Sequence, residues 1–347
     1  VGRKAPEKIK SSFYNLIKYA HEHNKKVIYL EITHFARAIK RCSFQIYEDD
    51  ETERPYEDFY DYVDLVVTFN RKDGFIGDIA NPKGIKLHDT LTLEDGLTNI
   101  FAIDFEDRKK KFWKDFSEKL YRSVHFIGRF SPYKGPWLVT DLHREYLQKN
   151  NYITFIEGAD VTIGTVSQIY KDLKSNPRVD RDDLICVTQA HKDRIEKFRN
   201  NEFVFERNKP AYVLPEFKNE EGLERVSKSM FGIELLKLKK PQDYETMIET
   251  VILEFAAVGS IPIYRKIWGE NFTILGKKFI EFDQEETGTI LLDDENPQAA
   301  VDLMNKLSDD KVMYDEWRKN AYDFYYKYFD TKNVFYPLIS KIKEKLS

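Results

Sequence analysis

The residues best suited to chemistry fall in two short stretches. In Phe126-Ile127-Gly128-Arg129-Phe130-Ser131-Pro132-Tyr133-Lys134-Gly135, an arginine and a lysine stand five positions apart between two glycines. A guanidinium and an ammonium on one loop can converge on a diphosphate, and Gly128 and Gly135 let the backbone approach closely. The same spacing fits a surface loop with two solvated cations. In Ser227-Lys228-Ser229-Met230-Phe231-Gly232, a glycine ahead of an expected helix would aim free amide N–H groups at an anion. Further on, Leu253-Glu254-Phe255-Ala256-Ala257-Val258-Gly259-Ser260-Ile261-Pro262 sets a carboxylate in an apolar helix. Burial there demands a partner, either a hydroxyl pair such as a ribose diol or a neighbouring lysine.

Such groups need a scaffold to hold them, and 347 residues suggest two domains, at roughly 150 residues per domain. The mix of 41% hydrophobic and 33% charged residues supports a core and excludes a disordered chain. The longest apolar runs, near Leu65 to Phe69 and Val251 to Val258, are far shorter than the ~18 residues of a membrane span. No N-terminal stretch reads as a signal peptide, so a cytoplasmic location is expected. The charge balance, 55 − 59 = −4, speaks against a chain-wide nucleic-acid surface and leaves room for a local basic patch. Cys42 and Cys186 each stand alone, which encodes neither a disulfide framework nor a metal knuckle.

Short β-branched runs alternate with helical periods twice along the chain, the sign of an α/β protein with doubly wound parallel sheets. Lys26 to Thr33 and Asp64 to Phe69 read as strands of the first domain after a helix over Ala5 to Asn24, with Ile100 to Phe105 as candidate for a third. Ser123 to Phe130, Tyr152 to Glu157, Leu184 to Thr188, Tyr212 to Leu214, Ile261 to Tyr264 and Thr289 to Leu292 read as a complete second series. The first domain looks short by about one βαβ unit at its start. The expected boundaries are 1–118, 119–316 and 317–347, the last being aromatic-rich helices that either pack across the two domains or cover one core.

Together the two stretches resemble a known family. FIGR…YKG followed by FG…LEFAAVGSIP is similar to the nucleotide-sugar-binding domain of GT-B glycosyltransferases. The longer series SKSMFG, KLKK, LEFAAVGSIPIY, GEN, ILLDDENP and LSDDKVMYDEWRKNAYDFYYKY, spread over 120–345, resembles the DNA α-glucosyltransferase-like family of T-even bacteriophages. That resemblance implies GT-B architecture: two Rossmann-like domains facing a cleft, the N-terminal one incomplete and acceptor-binding, the C-terminal one donor-binding. It implies retaining transfer of glucose, with arabinose as a close rival, from UDP-glucose or UDP-arabinose to 5-hydroxymethylcytosine in double-stranded DNA inside an infected bacterium. The leaving phosphate oxygen can then accept the proton of the incoming hydroxyl, with no metal needed for the chemistry and a divalent ion left open for product release.

Carried over by residue, Arg129 and Lys134 become the catalytic pair that neutralises the diphosphate, and Glu254 holds the ribose. Gly128 and a loop of Met230, Phe231 and Gly232 cover the donor. His34, closing the strand at Glu31-Ile32-Thr33-His34, is the first-domain candidate for catalysis. Ser229 stands near where the first glutamate of the usual E-x7-E signature would fall, which leaves the sugar open. DNA contacts are expected from Arg37, Lys40 and Arg41, or from Lys110 and Lys111 with Phe112 and Trp113 available for stacking. Each basic segment equally fits a solvated helix face. The pairs Asp293-Asp294 and Asp309-Asp310 read as caps and turns rather than a metal site. A monomer without membrane contact is expected. A saccharide or lipid acceptor, or a non-catalytic DNA-binding relative, are the other readings of the same fold.

Overall fold

The computed structural model describes residues 7–31, 62–68, 90–91, 102–128, 130, 134–158, 182–187, 191–215, 219–236, 248–270 and 272–347. The chain divides into two compact units: Val1–Ala102 with Ile274–Gly276 and Thr331–Ser347, and Ile103–Thr273 with Lys277–Asp330.

The first unit holds helix α1 (Glu7–Glu22) and three parallel strands in the order β1 (Ile28–Glu31), β2 (Leu65–Thr68), β3 (Thr90–Leu91). Asp64 ties the starts of β1 and β2, accepting from the Val27 N–H at 2.8 Å and the Lys26 ammonium at 3.0 Å. Alternation in Val63, Leu65 and Val67 puts these residues in the core. Of the strand expected at Ile100 to Phe105, the described residues 102–105 form none. Ile103 makes an isolated bridge to Asp330, and Phe105 opens a helix that Asp104 caps by accepting from the Asp107 N–H at 2.8 Å.

The second unit is built on seven parallel strands: β4 (Leu120–Ile127), β5 (Ile153–Glu157), β6 (Leu184–Cys186), β7 (Ala211–Val213), β8 (Ser229–Glu234), β9 (Ile261–Arg265) and β10 (Ile290–Leu292). Their order across the sheet is β10-β9-β8-β4-β5-β7-β6. Both faces are covered, so the strands are mainly apolar: Val124, Phe126, Ile156, Phe231, Ile233, Ile261 and Ile263 are all buried. The helices are α2 (Phe105–Phe112), α3 (Pro136–Leu142), α4 (Lys192–Arg199), α5 (Asn219–Ser227), α6 (Thr250–Ala257), α7 (Pro297–Asp309) and α8 (Lys311–Phe329). Helices α2, α5 and α6 pack on one another, while α7 lies against β4 and β10.

Two further features differ from the sequence-based expectation. Met230, Phe231 and Gly232 are not a loop before a helix but the middle of β8, paired with β4 (Phe231 with Val124, Gly232 with His125) and with β9. Gly232 is needed for packing, because a Cβ there would lie 2.2 Å from Cγ of the Phe255 ring. Secondly, the unit boundary falls before Ile103, not after residue 118. Helix α2 is held to the second unit by Arg108, which donates to Glu254 of α6, and by the Phe105 N–H, which donates to Asp330. Residues 317–330 also belong there, with Trp317 and Tyr325 buried, whereas 331–347 go with the first unit.

Candidate functional site

In open α/β sheets ligands collect at the carboxyl ends of the strands, near the middle of the sheet. Here β4 and β8 are the central pair, and the described residues next to their carboxyl ends form the candidate site. After β4 the chain passes Gly128, whose N–H bonds the Glu157 carbonyl at 3.0 Å, and returns at Lys134. Gly135 then opens α3 with φ +65°, a left-handed conformation that glycine adopts without strain. Its bare Cα also permits contact with β8, since a Cβ would lie 1.9 Å from the Leu235 carbonyl oxygen. That approach brings Lys134 to the end of β8.

Three side chains meet there. The Lys134 ammonium lies 2.5 Å from Glu249, which precedes α6, and 3.5 Å from Glu234, the last residue of β8. Glu234 is fully buried, and among the described residues its carboxyl oxygens have no polar partner closer than the Lys134 ammonium. Burial pushes its pKa up to about 8; Lys134 opposes the rise and the charge of Glu249 adds to it. A cation flanked by two carboxylates at the end of a central strand can exchange one of its partners for an incoming phosphate.

Behind this point lies a second ionic group. His125 Nε2 is 2.8 Å from Glu157, His125 Nδ1 is 3.3 Å from the Ser229 hydroxyl, and the Arg225 guanidinium grips the Glu157 carboxylate, its Nε at 2.7 Å. Serine, histidine and glutamate in a row have the composition of a hydrolase triad, but Ser229, His125 and Glu157 are all buried and Arg225 neutralises the carboxylate. The group ties β4, β5 and α5 together beside Gly128. It also accounts for Ser229, which opens β8 at the amino end of the sheet and not beside Lys134, so it does not stand in for a sugar-facing glutamate.

The other expected site residues divide into those brought to this end of the sheet and those that are not. Gly128 and Lys134 are brought there; Met230, Phe231 and Gly232 lie inside the sheet. Glu254 is engaged elsewhere: its carboxylate receives Arg108 Nε at 2.9 Å and the Arg108 NH2 group at 3.3 Å, a bidentate pair that uses it within the helix layer. Burial pushes Glu254 upward, with Arg108 acting against the rise. Lys110 and Lys111 project from α2 into solvent, Lys111 2.9 Å from Asp107. Phe112 is buried, and Trp113 packs under Lys109, 4.8 Å from its ring, and against Arg318 and Tyr322, so neither ring is presented for stacking on a base. Arg129, His34, Arg37, Lys40 and Arg41 lie outside the described residues.

Asp310 caps α8 as expected, accepting from the Val312 and Met313 N–H groups. Its neighbours are ion pairs: Asp294 with Arg265, Asp293 with Lys266, and Asp309 with Arg122. Glu234 and Glu249 are site residues that local sequence pattern does not single out. The signal for Glu234 is a lone carboxylate inside the apolar run Met230 to Leu236, where an unpartnered charge is costly.

Known proteins share this fold. A family model described as DNA alpha-glucosyltransferase matches residues 81–312. The DNA alpha-glucosyltransferase of Enterobacteria phage T4 is 28% identical over 238 residues, which are 67% of this chain and 54% of that protein, so the chain spans about half the length of this relative. Among solved structures, an alpha-glucosyltransferase in complex with UDP superposes with a TM-score of 0.74 at 21% identity, covering 99% of this chain and 79% of the other. An alpha-glucosyltransferase in complex with UDP-glucose and DNA containing an abasic site gives 0.72 at 21% identity, covering 96% and 76%. Among the described residues no helix is long and apolar enough to cross a membrane.

Proposed function

The chain belongs to the DNA alpha-glucosyltransferase family and is an α/β protein of the GT-B class, and from that premise we propose that it transfers a sugar from a UDP-sugar to 5-hydroxymethylcytosine in double-stranded DNA, with retention at the anomeric carbon. Glucose is the donor sugar favoured by the relatives, which bind UDP and UDP-glucose, and arabinose is the alternative to be tested against it. The observation that carries the proposal is Lys134, held by two carboxylates where the central strands of the sheet end.

In this reading Lys134 leaves Glu249 to take a phosphate oxygen of the donor, and Arg129 supplies a second cation from the same loop. Charge building on the departing diphosphate is met by fixed cations already in place, so little reorganisation opposes the reaction. The departing oxygen takes the proton of the hydroxymethyl group on the same face of the sugar, which needs no protein base. Glu249 shares the strand end with Lys134, and we give it the ribose hydroxyls; Glu254 would have to leave Arg108 to do so. Lys110 and Lys111, with Arg37, Lys40 and Arg41, contribute to phosphate contacts with DNA, and the target base leaves the stack to reach the donor. His34 contributes from the first unit. The protein acts as a monomer in the cytoplasm of an infected bacterium.

The experiment is mass spectrometry of nucleosides from 5-hydroxymethylcytosine DNA incubated with the protein and UDP-glucose, UDP-arabinose and UDP-xylose together. A hexose adduct is expected. A pentose adduct would assign the donor to the arabinose class, and the absence of any adduct alongside measurable UDP-sugar hydrolysis would move the acceptor away from DNA.

A further inference from the structure

Glu234 is a feature of the strand end that charge neutralisation by Lys134 does not require. A carboxyl group fully out of solvent, with only the Lys134 ammonium at 3.5 Å as a polar partner among the described residues, is costly and is normally removed or better partnered. Among the described residues, the charged groups that face it are the Lys134 ammonium from the loop ahead of α3 and the Glu249 carboxylate from the start of α6. On β9, Tyr264 lies opposite it in register, and Arg265 is turned to Asp294 and the Leu236 carbonyl. With both carboxyls ionised the cluster sums to 1 − 2 = −1, and with Glu234 protonated to 1 − 1 = 0. A diphosphate entering beside Lys134 adds negative charge, and its binding is then stronger to the neutral cluster by linkage.

We propose that Glu234 is a positioning residue for the donor: it steadies the Lys134 ammonium at the end of β8 and takes up one proton from solvent when a nucleoside diphosphate binds. This rests on the reading of Lys134 as the diphosphate-binding cation. Only an O–H bond forms at the carboxyl, and Lys134 keeps its proton and turns its charge to the phosphates. Because Glu234 is held near 8, the unliganded protein is largely protonated there at neutral pH and ionised in alkali. Proton uptake on binding is therefore small at about pH 7 and approaches one at about pH 9, with UDP affinity falling about tenfold across that interval. Lys119, whose pKa burial also lowers well below the usual lysine range, lies at the other end of β8, bonded to the Ser229 and Gly259 carbonyls.

Calorimetric titration of UDP into the full chain, in two buffers of different ionisation heat, reads the proton count directly. The expected result is uptake near one proton in alkali for the wild-type protein, and for Glu234→Gln no uptake and a UDP affinity that stays level from about pH 7 to about pH 9. Binding without uptake in the wild type overturns the proposal while leaving Lys134 as a donor residue, and this arm does not depend on the variant folding. Uptake that persists in Glu234→Gln also overturns it. Failure of the wild-type chain to bind UDP at any pH overturns the donor reading itself, and this proposal with it.

Discussion

The two ends of β8 each bury an ionisable group, and they treat it in opposite ways. At the amino end Lys119 is buried, and its ammonium donates to the Gly259 carbonyl at 2.7 Å, the Ser229 carbonyl at 3.2 Å and the Ser260 hydroxyl at 3.4 Å. At the carboxyl end Glu234 is buried even more fully, and among the described residues its only polar partner is a long-stemmed lysine 3.5 Å away. A buried ion with a full set of fixed partners locks strands together. One left incompletely partnered, next to groups that reach solvent, is kept for something that arrives. On the proposed reading, Lys119 serves the architecture at the amino end of β8 and Glu234 serves donor binding at its carboxyl end.

The sharpest way to break this contrast is to remove the cations at the carboxyl end. Arg129→Ala and Lys134→Ala should each cost about 3 to 4 kcal/mol of transition-state stabilisation with little loss of fold, read as turnover on hydroxymethylated DNA. Unchanged turnover in Lys134→Ala would dissolve the functional half of the comparison. At the other end Lys119→Met should take the ammonium from the Ser229 and Gly259 carbonyls, which keep the Ser260 hydroxyl and the Tyr314 hydroxyl as donors, costing about 1 to 2 kcal/mol in urea unfolding while turnover per folded molecule is kept. Lower turnover without lost stability would reverse the assignment of the two ends.

The two carboxylates of the α6 region sharpen the picture further. Glu249→Gln is expected to weaken UDP binding about fivefold to tenfold, close to 1 kcal/mol, and Glu254→Gln to leave it unchanged but lower stability by about 1 to 2 kcal/mol through Arg108. The reverse pattern would return the ribose to Glu254. A smaller effect concerns pH. Burial raises Glu234 from 4.5 to about 8 in the folded chain, so the folded state binds the proton more tightly. The stability this gives is complete below about 4.5 and is lost as pH rises through about 8. The melting temperature of the wild type should accordingly fall between about pH 6 and about pH 9, and that of Glu234→Gln should fall less; equal slopes would place the proton elsewhere.

Much of the second unit can be read from the residues alone, because its strands are buried on both faces and stand out as apolar runs between turn residues. β8 escapes for a physical reason. Its glycine, which looks like a loop signal, is there to admit the Phe255 ring, and the run Met230 to Leu236 carries a carboxylate that an ordinary core strand would not. Misplacing β8 hides the site's centre, since the distance from Lys134 to Glu234 depends on strand order and not on sequence spacing. Lys134 and Gly135 are legible because a loop cation beside a left-handed glycine is a local feature. Glu254 is legible as a buried carboxylate in need of a partner, but the partner, Arg108, lies 146 residues earlier and comes from a helix that local pattern assigns to the other unit. The bridge from Ile103 to Asp330, at the edge of the second unit, is equally invisible to local pattern.

Donor binding at the carboxyl end of the sheet through Lys134 is tested most directly by a crystal structure of the chain with UDP. Diphosphate oxygens are expected within hydrogen-bond distance of Lys134 Nζ, with the Glu249 contact opened and Lys119 unmoved on its carbonyls. UDP bound away from β4 and β8, with Lys134 still paired to both Glu234 and Glu249, would contradict this.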